Sequence, residues 1–348
     1  MNTVEFGMWR PELVEEGYAR LNSDMPIDRI IFYFQQEFEY HVFKYFEAAV
    51  DYSDKHDIPL DIIICTSNYV KPLHDLTAHR CRNIKLHHWG TFFLSDLLKQ
   101  LMQSGDNLTP EPFKYPFISM NSKPHPHRCI MMDVLAKYNF IDRGAVSWLE
   151  YPYESDRNDA GIIPSIWRGY PYRYWSPSIK KLTEVTPDHF DYYKVPYEYK
   201  QSFMQLVVES CDRNLMISEK TWMPIFYRKP FIVFAAQHQH AFLQDYGFLL
   251  YDEVFDYSFD SEPDQDLRAE AVAKNIQRYV NMPPVALGKV YKKLIPKLEY
   301  NYNLAMSLAT DINRVPEIIL EAYRNPLNGY CSRPVVDFIY EQNTASRR

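Results

Sequence analysis

Residues 203–236, FMQLVVESCDRNLMISEKTWMPIFYRKPFIVFAA, constrain the fold of this chain more than any other stretch. An apolar run rich in β-branched residues leads into the polar CDRN turn, Ser218-Glu219-Lys220 opens a short helical pattern, and a second apolar run follows Pro230. Strand, turn, helix and strand succeed one another within one short segment. Ser218 is read as the N-cap, its hydroxyl satisfying a helix N–H that has no intrahelical acceptor. Pro224 has no N–H to give, so the helix must be short or bent there.

A helix start attracts anions, because its free N–H groups and the helix dipole both favour negative charge. A carboxylate and an ammonium side by side at such a start suit a sugar nucleotide. Glu219 can accept hydrogen bonds from ribose hydroxyls while Lys220 neutralises a diphosphate. The same residues also fit an ordinary solvated helix start. Residues 117–135, FISMNSKPHPHRCIMMDVL, repeat the pattern of strand, Pro-broken polar loop and amphipathic helix. Arg128 stands where that helix begins, with Ile130, Met131, Val134 and Leu135 behind it. Its planar guanidinium suits bidentate phosphate contact; the competing reading is a charge on the helix surface.

The order of strand, Glu-Ser, turn, Ser-Glu-Lys, helix and Pro-bearing strand resembles the donor-binding signature of the α1,3-fucosyltransferases and their relatives. It is also similar to a group of uncharacterised virus-encoded proteins read as glycosyltransferases, in which Lys229-Pro230-Phe231, Gly247-Phe248 and an acidic aromatic run like Phe255–Asp260 follow. The resemblance covers residues 114–310. It departs from the fucosyltransferases where Arg228-Lys229-Pro230 replaces a Gly-x-x-Pro, which leaves the donor sugar open. The resemblance implies a GT-B-like α/β fold, two Rossmann-like domains facing a cleft. It further implies an inverting, metal-independent transfer from a nucleotide sugar, the co-substrate, to a hydroxyl acceptor. Arg128, Ser218, Glu219 and Lys220 are then the donor-binding residues, with Arg128 on the diphosphate.

An inverting transfer needs a base for the acceptor hydroxyl and positive charge for the leaving diphosphate. The base is expected among the N-terminal acids or histidines. Glu37, just after the strand at 30–34, is the first choice because a carboxylate beyond a strand's carboxyl end faces the cleft; Glu39 is the second. Glu37 also fits a solvated acid at a helix start. The acceptor is a glycan or, from the viral likeness, a hydroxymethylated DNA base. A different class of function, a non-catalytic nucleotide- or sugar-binding module on the same fold, stays open.

Length and composition fit this frame. The chain has 348 residues, enough for two ordinary domains. Residues 1–110 are expected to form the N-terminal acceptor domain, residues 114–330 the donor domain and residues 331–348 a tail, with the polar, Pro-rich stretch 104–116 as linker. A hydrophobic fraction of 46% excludes disorder, and no stretch approaches the run of about 20 apolar residues that a membrane span needs. The first residues carry acids and no apolar core, unlike a signal peptide, and the five widely spaced cysteines read as free thiols. Both point to the cytoplasm, that of the host if the source is a virus. None of the 10 glycines falls in a dinucleotide or P-loop motif. A formal charge of −7 argues against a broad nucleic-acid face. A local candidate remains in the segment from Trp167 to Trp175 with Lys180 and Lys181, whose rings and cations could stack on bases and hold phosphate, or simply pack as a loop.

Apolar runs at 29–34, 60–66 and 83–88 alternate with helical patterns at 40–55 and 94–102. In the second half, a strand at 117–120 and a helix at 128–138 precede the 203–235 segment, and helices follow at 266–280, 284–308 and 315–323. His87-His88, His125 and His127, and His238 and His240 lack zinc-site spacing. Asp264-Gln265-Asp266 reads as a helix start, and the acidic loop before it lacks the Gly and Glu of an EF-hand.

Overall fold

A computed structural model describes residues 2–7, 11–34, 39–65, 83–104, 112–122, 124–149, 173–175, 180, 182, 195–210, 212, 215–324 and 333–345. The chain is α/β and divides into two compact units, Met1–Lys99 with Ser307–Arg348, and Gln100–Met306. Each is built on a four-stranded sheet, and every pairing between its strands is parallel.

In the first unit the strands β1 (Thr3–Gly7), β2 (Arg29–Phe34), β3 (Leu60–Ile64) and β4 (Ile84–His88) lie in sequential order. Helices α1 (Pro11–Leu21) and α2 (Glu39–His56) connect the first three, and α3 (Phe92–Ser104) follows the fourth. Side chains alternate across a strand, so Val4, Phe6, Ile30, Phe32, Leu60, Ile62 and Ile64 share one face. That face packs on Val14 and Leu21 of α1 and on Phe46, Ala49 and Val50 of α2. Each such burial is worth about 2 kcal/mol, and Ile31, Tyr33 and Ile63 on the other face are buried as well, so the sheet is covered on both sides. Gly17 is where α1 touches β1: a Cβ there would stand 2.9 Å from the carbonyl oxygen of Glu5. The opposite face carries Tyr33, whose ring lies 6.5 Å from that of Phe92. It also carries buried Asp61, which is paired with Arg29 at 3.1 Å and His87 at 2.7 Å.

Residues 307–348, divided in the sequence reading between the donor domain and a tail, cluster with the first unit. The long helix α9 (Pro284–Thr310) ends there, and α10 (Glu317–Tyr323) and α11 (Arg333–Ala345) follow. Ser95 of α3 donates to the carbonyl of Ala309 at 2.6 Å, and Glu321 lies 3.9 Å from Arg29. Helical periodicity marks a helix but carries no information about which sheet covers its apolar stripe.

In the second unit the sheet comprises β5 (Tyr115–Asn121), β6 (Ala145–Trp148), β7 (Ser202–Val208) and β8 (Phe231–Phe234). The order is β6-β5-β7-β8. The chain therefore steps from β5 to one side and returns to β5's other side for β7. Such a reversal leaves a crevice beyond the carboxyl ends of the two strands it separates. After β5 comes α4 (Pro126–Lys137), before β7 the single-turn α5 (Tyr197–Lys200), and after β7 comes α6 (Glu219–Phe226). The remainder is α7 (Gln239–Asp245), α8 (Gln265–Val280) and α9 (Pro284–Thr310). No helix among the described residues is long and apolar enough to cross a membrane.

Candidate functional site

The two motifs meet beyond the carboxyl ends of β5 and β7, where Arg128 and Lys220 both act on Glu219. Ser218 caps α6, its hydroxyl oxygen accepting the Lys220 N–H at 3.2 Å, as the sequence suggests. The helix is short, with Pro224 inside it. The carbonyl of Lys220, which a residue at position 224 would normally bond, instead accepts from the side-chain amide of Gln205 at 3.3 Å. Gln205 is itself buried on β7, its carbonyl oxygen taking the Tyr199 hydroxyl at 2.6 Å.

Glu209, one residue beyond β7, organises the turn. Its carboxylate is fully buried and accepts from Ser218 N at 2.9 Å, Thr221 Oγ1 at 2.8 Å, Ser210 N at 2.8 Å and Ser218 Oγ at 2.5 Å. Burial pushes its pKa up, and the Lys220 charge and the Ser218 bonds pull it back. The Lys220 ammonium donates to Ser210 Oγ at 2.7 Å and pairs with Glu219. Burial alone would raise Glu219, but Lys220 first and Arg128 after it bring its carboxyl below its ordinary range. Both side chains are about three-quarters covered, at 26% and 23% exposure, so this is no freely solvated helix start.

Arg128 is buried in the first turn of α4, at 4% exposure, which removes the surface-charge reading. Its guanidinium acts on Glu219 and on His127. His127, also buried, donates from Nε2 to the carbonyl of Glu209 at 2.7 Å, and its Nδ1 lies 3.7 Å from Asp212. Burial pushes its pKa down to about 4, against the pull of Asp212 and with the help of Arg128. Asp212 is held by Gln265 at 2.9 Å. Arg128, Ser218, Glu219 and Lys220, from two motifs about 90 residues apart, therefore belong to one electrostatic cluster beyond adjacent strands.

Sequence reasoning passed over Glu209 as a site residue, together with His127, Thr221 and Gln205. The available signal was a carboxylate directly after the apolar run Leu206-Val207-Val208, where only tertiary partners can satisfy it. Arg268 of α8 was also missed; its buried guanidinium donates to the carbonyls of Ala235 at 3.0 Å and Glu262 at 2.5 Å. Other candidates find structural work. His240 contacts Asp260 through Nδ1 at 2.8 Å and accepts the Val233 N–H at Nε2, 3.1 Å, leaving neither ring nitrogen for a metal. Asp264 caps α8 by accepting Leu267 N at 3.0 Å, the helix start read from the sequence.

Glu37 lies outside the described residues, and Glu39 is the first residue of α2. Of the aromatic segment, Trp167 and Lys181 also lie outside them. Residues 173–175 are clamped to α4: Asp133 accepts their successive N–H groups at 3.0, 2.7 and 2.9 Å. Trp175 packs edge-on against Trp148 with centroids 4.9 Å apart, while Arg173 and Tyr174 remain exposed. Comparison with protein-family models, curated proteins and solved structures finds no match to the chain.

Proposed function

We propose that this protein is a glycosyltransferase that moves a sugar from a nucleotide-diphosphate donor to a hydroxyl acceptor, with inversion and without a required metal. Arg128 and Lys220 support this reading by their grouping beyond β5 and β7, at the reversal in strand order. Two cations and the starts of α4 and α6 supply counter-charge for a diphosphate. In the reaction a base takes the acceptor hydroxyl proton, the oxygen attacks the anomeric carbon, and the bond from that carbon to the diphosphate oxygen breaks. Arg128 and Lys220 stabilise the charge that then grows on the leaving group. Glu219 takes the ribose hydroxyls, and the base is assigned to the segment after β2, with Glu37 first. On this reading the fold is of the GT-B type and the donor belongs to the second unit.

A second reading, a binding module without turnover, draws on the cluster's internal balance. Lys220 is already engaged by Glu219 and Ser210, so a ligand must compete with a formed ion pair. The test is a thermal-shift panel of nucleotides and nucleotide sugars in EDTA, followed by incubation of stabilising donors with glycans and with hydroxymethylcytosine DNA. Stabilisation with sugar transfer supports the transferase, stabilisation alone supports the module, and no shift with any nucleotide or nucleotide sugar contradicts the transferase and a nucleotide-binding module alike.

A further inference from the structure

We infer that Glu209 is a positioning residue whose buried carboxylate fixes Lys220, and with it the cationic side of the site, through Ser210, Ser218 and Thr221. The inference rests on the glycosyltransferase reading for the identity of the ligand, though not for the geometry. An ionised carboxylate offers about four acceptor positions, and here every one is taken. Oε1 receives Ser218 N and Thr221 Oγ1; Oε2 receives Ser210 N and Ser218 Oγ.

These donors are not scattered. Ser218 in turn accepts the backbone N–H of Lys220, and Ser210 accepts its ammonium, so Lys220 is held at both ends by serines that Glu209 itself holds. The carbonyl of the same residue receives His127, the neighbour of Arg128 in the first turn of α4. One residue thus connects the two helices that bear the site's cations. A neutral cap could satisfy the turn without the cost of desolvating a carboxylate. Glutamine is the sharpest probe: its amide NH2 would face two of the four donors, wherever it is turned.

The experiment compares the wild-type protein with Glu209→Gln and Thr221→Val, the latter keeping β-branched shape while removing one of the bonds. Folding is checked by circular dichroism and a cooperative melt. Acetylation of Lys220 by acetic anhydride is followed by mass spectrometry, with exposed Lys292 as internal reference. Lys220 should be labelled severalfold faster in Glu209→Gln and by a smaller factor in Thr221→Val, which also serves if the glutamine variant does not fold. GDP and UDP affinities should fall about tenfold or more in Glu209→Gln, equivalent to about 1.4 kcal/mol. That loss should disappear in a Lys220→Ala background, because Glu209 acts through Lys220. Wild-type labelling rates in the folded variants, or additive losses in the double variant, overturn the inference. A wild-type protein that binds neither nucleotide removes guanosine- and uridine-based donors from the transferase reading, and the labelling rates then decide the role of Glu209 alone.

Discussion

The side-chain amide of Gln205 donates to the backbone carbonyl of Lys220 at 3.3 Å, replacing the helical N–H that Pro224 lacks. A buried residue on β7 therefore holds the helix at the lysine that faces the proposed ligand. Gln205→Leu would leave that carbonyl and the Tyr199 hydroxyl without this partner. The expected cost is about 1–3 kcal/mol of stability, with weakened diphosphate binding. Urea unfolding checks the first and calorimetry the second; an unchanged midpoint would show that the bond contributes nothing.

On the proposed function, Glu219 takes the nucleoside and Lys220 the diphosphate. Glu219→Gln should lower nucleoside affinity, since ribose hydroxyls lose a charged acceptor, while inorganic pyrophosphate binds no worse because Lys220 is freed from its partner. Parallel losses for adenosine-, guanosine- or uridine-based ligands and pyrophosphate would place both residues on the phosphate.

Lys229 should make stability depend on pH. It is buried, bonded to the carbonyl of Ser202, and burial lowers its pKa from 10.5 to about 7. Between those values the unfolded chain binds more protons than the folded one, so stability rises with pH through that window and is least at its lower end. Lys229→Met should flatten this slope and raise stability near neutral pH. Urea midpoints measured across the window check it; identical slopes in the two proteins would show that Lys229 titrates normally.

The acceptor side can be separated from the donor side. Tyr174 sits beneath the Lys137 ammonium, 5.5 Å from it, at the far end of α4 from Arg128. Nine residues of helix place these ends about 13 Å apart along the axis. Arg173→Ala and Tyr174→Ala should leave nucleotide affinity unchanged. If DNA is the acceptor, they should weaken a DNA affinity that falls steeply with salt. Loss of nucleotide binding in either variant would contradict this separation.

Much of this fold was legible because its strands are apolar and its helices are marked by their starts. The run at 29–34 is β2, and Ser218 and Asp264 cap the helices they were expected to begin. β1 escaped notice because Glu5 interrupts a five-residue run whose partner, β2, lies beyond an intervening helix. The four-residue β6 was hidden by its brevity, and α11 was read as part of a tail although Val335, Val336, Phe338 and Ile339 form a buried stripe on it. Of the site, Arg128, Ser218, Glu219 and Lys220 could be singled out from local chemistry. Glu209 could not be seen in the same way, because its role depends on donors at positions 218 and 221 that only the folded turn returns to it.

Arg128 and Lys220 are proposed to bind a diphosphate together, without a metal. Calorimetric titration of GDP and UDP in EDTA, into the wild-type protein, Arg128→Ala and Lys220→Ala, tests it most directly. The expected result is metal-free binding of at least one nucleotide, weakened by about 2–3 kcal/mol in each variant while the melt stays cooperative. Binding that appears only with magnesium or manganese, or that survives both substitutions at wild-type strength, would contradict it.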